Sequence, residues 1–307
     1  GGVFMAKSSV ATGRSKALVR RETRSAYLFL LPNLIFFVGF VVIPMILCVY
    51  TSFFDSTMGK DVEDVFIGLK NYTELWQDPI FLRALKNTFV IVLVSVPAVC
   101  IFSLWVSALI YRMKGAVLST FRCVFYLPVV TGSVAVTVVW KWMFNNYYGI
   151  FNYVGKGLGV VDNNINWLGD ERFALWCIIL ILFTTSVGQP IVLYVSALGN
   201  VDTSLVEASE VDGANNIQKF WKIKWPLIMP TTLYILVITT INSFQCFALI
   251  QLLTSGGPNH STDTVMYYIY YSAFKLYRYG YGNAMGVVLA IFIALLSAVQ
   301  FKLAKEK

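Results

Sequence analysis

A polar, helix-forming segment, Glu207-Ala208-Ser209-Glu210-Val211-Asp212-Gly213, sits between two long apolar runs and leads on to Ile223-Lys224-Trp225-Pro226. In a chain that crosses a membrane, a segment of this kind is suited to touching another protein. Ser204-Leu205-Val206-Glu207 fits a capping box, with Ser at the N-cap and Glu three residues on, so a helix is expected to begin near Leu205. Gly213 suits the positive φ of a helix C-terminus. A second helix is then expected from about Ala214 to Trp225, with Pro226 opening the next apolar run. Two short helices joined by a sharp glycine bend form a stiff elbow, which can transmit a push where a slack loop cannot.

A second group of residues has binding chemistry. Thr184, Thr185, Ser186, Gly188 and Gln189 lie in one apolar run, and Thr239, Thr240, Asn242, Ser243 and Gln245 in another. Polar groups facing lipid are costly, so these should face a cavity or a neighbouring helix. Amides and hydroxyls both donate and accept, which suits a polyhydroxylated neutral solute. The expected path residues are Ser186, Gln189, Thr239, Asn242, Ser243 and Gln245, with Phe183 and Phe244 available to stack on an apolar sugar face. Bonding of the same groups across helices is the competing expectation.

Other chemistry is poorly provided for. The single histidine, His260, falls in a polar loop and is expected to be solvated. Cys48, Cys100, Cys123, Cys177 and Cys246 lie in or beside apolar runs without a CxxC, so they read as packing residues. No His, Cys or carboxylate cluster fits acid–base catalysis or a metal. The sequence has no Gly-x-x-x-x-Gly-Lys-Ser/Thr, so ATP hydrolysis is not expected of this chain.

The elements that must carry these residues follow from composition. The chain has 307 residues, 57% hydrophobic and 13% charged, against about 25% charged in soluble domains. An all-α integral membrane protein is expected. Six runs reach the roughly 20 apolar residues of a spanning helix: about 26–54, 87–111, 121–143, 173–198, 226–250 and 284–301. Residues 1–25 then form an N-terminal tail, with Met5 the expected natural start, 26–301 the membrane domain and 302–307 a short tail. The formal charge of +8 could point to nucleic acid. However, 1–25 holds six basic residues and 112–122, 199–225 and 302–307 hold three each. Placing those pieces in the cytoplasm satisfies the positive-inside rule, so no nucleic-acid partner is called for. Tyr267, Tyr270, Tyr271 and Phe274 recur at helical spacing in an outer loop and predict a short amphipathic helix.

The spacing from Glu207-Ala208-Ser209 through Gly213 to Ile223-Lys224-Trp225-Pro226 resembles the EAA loop of bacterial ATP-binding-cassette importer permeases, with Ser209 and Trp225 as mild departures. Leu28-Phe29-Leu30-Leu31-Pro32-Asn33, Gly68-Leu69-Lys70-Asn71-Tyr72, Tyr126-Leu127-Pro128 and Leu253-Thr254-Ser255-Gly256-Gly257-Pro258 resemble, in the same order, segments of the maltose-type carbohydrate permeases. The resemblance implies six transmembrane helices with a cytoplasmic EAA loop at 199–225, in a bacterial inner membrane, both termini inside. It implies a second permease subunit, two cytoplasmic ATPase subunits and an extracellular sugar-binding protein as partners, with Glu207, Ala208, Ser209, Asp212, Gly213, Ile223 and Pro226 coupling to an ATPase. It implies no cofactor. A permease for another polar solute such as glycerol phosphate, or a secondary transporter, are the alternatives. The first would want a basic pocket and the second an intramembrane carboxylate or histidine, and the runs supply neither.

Overall fold

The computed structural model describes residues 16–57, 64–159 and 162–305, and the expected start at Met5 lies outside them. The chain divides into two units, 1–50 and 51–307. In the first, α1 (Lys16–Phe37) passes through a π turn at Val38–Val42 into α2 (Ile43–Thr51). The helix thus begins inside the stretch expected as a tail. The π turn has a local cause. Pro44 has no N–H, and its ring crowds the carbonyl four residues back. The wider i→i+5 turn, seen in the bond from Ile43 N–H to Val38 O, relieves that crowding.

The second unit opens with a short antiparallel pair, β1 (Phe54–Asp55) and β2 (Val65–Phe66), with Phe54 opposite Phe66. Then come α3 (Lys70–Leu75), α4 (Pro79–Ile110), α5 (Ala116–Val130), α6 (Ser133–Met143), α7 (Ile150–Gly157), α8 (Ala174–Ser186) and α9 (Gly188–Gly199). After the polar segment, which holds α10 (Thr203–Val211) and α11 (Asn216–Lys219), follow α12 (Trp225–Phe244), α13 (Ala248–Leu253), α14 (Val265–Tyr270) and α15 (Tyr279–Lys305).

Among the described residues, four helical stretches are long and apolar enough to cross a membrane, or six if each of two bent pairs is one span. The bent pairs fall in two of the expected runs. The run expected at 121–143 is α5 and α6, which meet at 95°, and that at 173–198 is α8 and α9, which meet at 40°. Pro190 explains the second bend: it cannot donate to the carbonyl of Ser186, so the helix breaks there. Serines on α4 approach this break, Ser103 Oγ donating to Val187 O at 3.3 Å and Ser107 Oγ to Ile191 O at 3.0 Å. Small residues of this kind let membrane helices come close.

Asp78-Pro79-Ile80-Phe81, ahead of the run expected at 87–111, is the start of α4. Asp78 is its N-cap and accepts from the N–H groups of Ile80 and Phe81, and Pro79 occupies a position where no N–H is needed. The second oxygen of Asp78 accepts from the hydroxyls of Tyr268 and Tyr281, both at 2.7 Å. Burial pushes the Asp78 carboxyl up, but these four hydrogen bonds outweigh it and hold it below its ordinary value. Buried asparagines fasten the loops nearby. Asn71 donates to the carbonyls of Ser52 and Phe54, and Asn87 to those of Ser261 and Asp263. The core around these anchors is apolar and is built by α4, α9, α12, α14 and α15, with Phe81, Tyr194, Ile235, Phe244 and Met285 fully buried.

The outer-loop helix exists as α14, extended by a π turn at Tyr271–Lys275. Its aromatics do not share one exposed face: Tyr267 is buried against Phe247, while Phe274 is exposed. His260 is exposed as expected, but it is also paired, its Nδ1 lying 2.6 Å from Asp263 Oδ2.

Candidate functional site

Two arrangements stand out, a polar cleft beside the bent α8–α9 pair and the elbow between α9 and α12. The cleft forms because α8 breaks off at Ser186. A cavity of about 140 Å³ there is lined by Thr185, Ser186 and Gln189 from α8 and α9, and by Thr239 and Asn242 from α12, with Val129 of α5 at its edge. An adjoining cavity of about 320 Å³ shares Val129, Thr185 and Asn242 and adds Gln245, Thr131 and Ser133. Asn242 thus stands where the two meet. Among the described residues, no Asp, Glu, Lys or Arg lines either one.

Five of the six expected path residues line this pair of cavities. Ser243 does not: it is buried at 2% exposure, turned into the helix packing one position from Asn242. Phe244 is also removed from any stacking role, being fully buried and set edge-on against Phe89. Phe183 packs on Phe102 with ring centroids 5.2 Å apart. The side chains of Gln189, Asn242 and Gln245 are exposed and have no hydrogen-bond partner among the described residues. An amide left open in an apolar helix needs water, solute or another chain beside it. The threonines differ, since Thr184 and Thr185 return their hydroxyls to carbonyls of their own helix.

The elbow is built as a helix, a bend and a second helix, but the first helix has a different N-cap from the one expected. The N-cap of α10 is Asp202, whose Oδ1 accepts from Ser204 N–H at 2.9 Å, so the box expected at Ser204 and Glu207 does not form. Glu207 is left exposed. Both Asp202 and Ser204 are good caps. The carboxylate two residues earlier takes the position, and its pKa is lowered by the Ser204 N–H it accepts. At the far end Gly213 has φ +78°, its N–H bonds Glu210 O at 3.0 Å, and Ala214 N–H bonds Ser209 O at 2.9 Å. This is a Schellman bend, and it satisfies the carbonyls that the helix end would leave open.

The second limb starts at Asn215, which forms a reciprocal capping box with Gln218. It is not a separate helix ending at Pro226. Residues 216–244 run on as one helical stretch through a π turn at Phe220–Lys224, where Trp225 N–H bonds Phe220 O. The turn stands two residues before Pro226, as the earlier one stands two before Pro44. Ala208, Asp212 and Pro226 are exposed like Glu207 and Gly213. Ser209 is buried and returns its hydroxyl to Val206 O at 2.6 Å, and Ile223 is half-buried in the π turn. The apolar part of this surface was missed from sequence: Leu205, Val211, Ile217 and Trp221 are all exposed, Val211 at 89%. Exposed apolar residues on a polar segment suit contact with another protein or with the membrane surface.

A family model described as "Binding-protein-dependent transport system inner membrane component" matches residues 79–305, which begins at the first residue of α4. The multiple sugar-binding transport system permease protein MsmF of Streptococcus mutans is 33% identical over 279 residues, covering 91% of this chain and 94% of the relative. The lactose transport system permease protein LacF of Rhizobium radiobacter is 29% identical over 301 residues, covering 97% and 100%. A solved bacterial ABC transporter involved in the import of the acidic polysaccharide alginate has a TM-score of 0.78 at 23% identity, covering 95% of this chain and 99% of that one. At that identity the likeness is one of fold.

Proposed function

The chain belongs to the family of binding-protein-dependent transport system inner membrane components, and from that premise we propose that it is one of two permease subunits of an ATP-driven sugar importer. The observation that carries the sugar reading is the cleft with its unpartnered amides. Gln189, Asn242 and Gln245 present donors and acceptors, and among the described residues no ionised side chain lines the cavities. Such a lining binds hydroxyls by direct or water-bridged hydrogen bonds without selecting for charge. Names of relatives point the same way, toward multiple sugars and lactose.

The chain crosses the bilayer six times, each bent pair being one span, with both termini and the 199–225 elbow in the cytoplasm of a bacterial cell. Glu207, Ala208, Asp212 and Gly213, with the exposed Leu205, Val211 and Ile217, form the surface that an ATPase subunit grips. Closing of two ATPase subunits on ATP pushes this elbow, and the spans rock from inward-open to outward-open. Sugar delivered by an extracellular binding protein then enters a path shared with the second permease, the amides of this chain holding it in transit. The chain itself performs no chemistry on sugar or ATP.

Purification from native membranes in mild detergent, with mass spectrometry of what accompanies the chain, tests this reading. Recovery of a second permease, an ATPase and a secreted binding protein is the expected result. The binding protein is then titrated calorimetrically with a panel of neutral sugars, glycerol phosphate and an acidic oligosaccharide. Recovery of the chain without an ATPase, even after crosslinking, overturns the importer. Tight binding of glycerol phosphate alone overturns the sugar.

A further inference from the structure

Basic residues at the ends of spans ordinarily reach outward to headgroups and water. Lys222 does so, but Lys219 and Lys224 do not: they are 8% and 7% exposed. Each is pinned to a defined partner. Lys219 Nζ lies 2.7 Å from Glu210 Oε1, which ties the second limb of the elbow back across the Gly213 bend to α10. Lys224 Nζ donates to the hydroxyl of Tyr111 at 2.5 Å and sits 4.9 Å from the centre of its ring. Tyr111 is the residue that caps the end of α4, and its hydroxyl also accepts from Arg112 Nε at 2.8 Å.

The π turn is what allows both lysines to face inward. Residues five apart on a regular α-helix point about 140° away from each other. Where the backbone bonds i→i+5, residues five apart come round to the same side of the helix; Lys219 directly precedes such a turn and Lys224 is its last residue. The connection continues beyond Tyr111. One and two turns back along α4, Ser107 and Ser103 bond Ile191 O and Val187 O, at the break in the α8–α9 pair that opens the cleft. Side-chain bonds and the helix backbone between them therefore connect α10 to the α8–α9 break beside the cleft.

We infer that Glu210, Lys219, Lys224 and Tyr111 are positioning residues that carry the movement of the elbow into α4, and through α4 to the bend beside the substrate cleft. The inference rests on the reading of 199–225 as an ATPase-gripping loop. Burial pushes the Tyr111 hydroxyl up in pKa, but hydrogen bonds from Lys224 and Arg112 outweigh it and lower the net value. Glu210 is likewise held low by Lys219. Both shifts agree with the geometry.

The test is amide hydrogen exchange on the whole importer in nanodiscs, with and without ATP and vanadate, for the native chain, Glu210→Gln, Tyr111→Phe and the exchange pair Glu210→Lys with Lys219→Glu. In the native complex, exchange slows about fivefold or more at both 203–213 and 104–112, the low end of ordinary coupling between sites. In Glu210→Gln and Tyr111→Phe the slowing persists at 203–213 and is lost at 104–112. The exchange pair restores it. Undiminished slowing at 104–112 in both single variants, or failure of the exchange pair to restore it, overturns the inference alone. Absence of any nucleotide effect at 203–213 in the native complex overturns the ATPase-gripping loop and the inference with it.

Discussion

Gly188 and Gly199 stand near the two ends of the same helix, and the same substitution has opposite consequences at each. Gly188 is buried at the α8–α9 break, and a Cβ there would meet the carbonyl oxygen of Phe125 and lie 2.8 Å from Val129 Cγ2 on α5. A methyl side chain can give way, but a helix carbonyl cannot. Gly188→Ala therefore forces α5 and α9 apart, at a cost near the upper end for overpacking, about 3 kcal/mol. Alanine recovers at most about 1 kcal/mol over glycine in a helix. The net loss is about 2 kcal/mol, roughly a thirtyfold shift toward the unfolded state. Gly199 has nothing within 4 Å of its Cβ position, so Gly199→Ala gains up to about 1 kcal/mol. Equilibrium unfolding in mixed SDS and dodecyl maltoside micelles should separate the two variants by about 3 kcal/mol. Uptake should fall for Gly188→Ala as well, because the α5–α9 contact borders Ser186, Gln189 and Val129 at the cleft. A Gly188→Ala protein as stable as Gly199→Ala would refute this account of the bend.

Three further outcomes follow from the geometry. Asp78→Ala removes an N-cap, about 1 kcal/mol, and strands two tyrosine hydroxyls at 1–3 kcal/mol each by order of magnitude, so a total of about 3 kcal/mol or more is expected in the same unfolding assay, with Asp78→Asn milder because it keeps an acceptor. Since the folded-state pKa of Asp78 is lowered, its contribution is in force above the unfolded carboxylate value of about 3.9 and is lost only as pH falls through the lower folded value; native-like stability of Asp78→Ala at neutral pH would contradict this. Gly213 has φ +78°, so Gly213→Ala strains the bend by about 1–2 kcal/mol and lowers ATP-driven uptake, Gly213→Asn does so less, and Gly213→Pro abolishes uptake while the chain still inserts; normal uptake in the proline variant would remove the elbow from coupling. Asn242→Ala and Gln189→Ala should each weaken transport about fivefold, one hydrogen bond's worth near 1 kcal/mol, without loss of assembly with the partner subunits, and unchanged uptake across a panel of sugars would take them out of the path.

The long apolar helices were legible in the sequence because hydrocarbon leaves little choice: some 20 uncharged residues in a row have few other homes. The glycine bend was legible too, since few residues besides glycine tolerate a positive φ. Caps were harder, because Asp202 and Ser204 compete for one position and the choice turns on a single hydrogen bond. The break at Ser186 could have been anticipated from Pro190, but its depth depends on α4 and α5 coming close to α9 at serines and at Gly188. What sequence alone left open was direction. Successive helical residues point about 100° apart, so Asn242 opens to a cleft while Ser243 and Phe244, its neighbours in sequence, are buried. The π turn before Pro226 likewise reverses the ordinary fate of Lys219 and Lys224, sending two cations inward to partners 9 and 113 positions away. The sequence determined which polar groups the membrane must accommodate. Only the packing of the helices decided which of them are satisfied within the protein and which are left open for a solute or another chain.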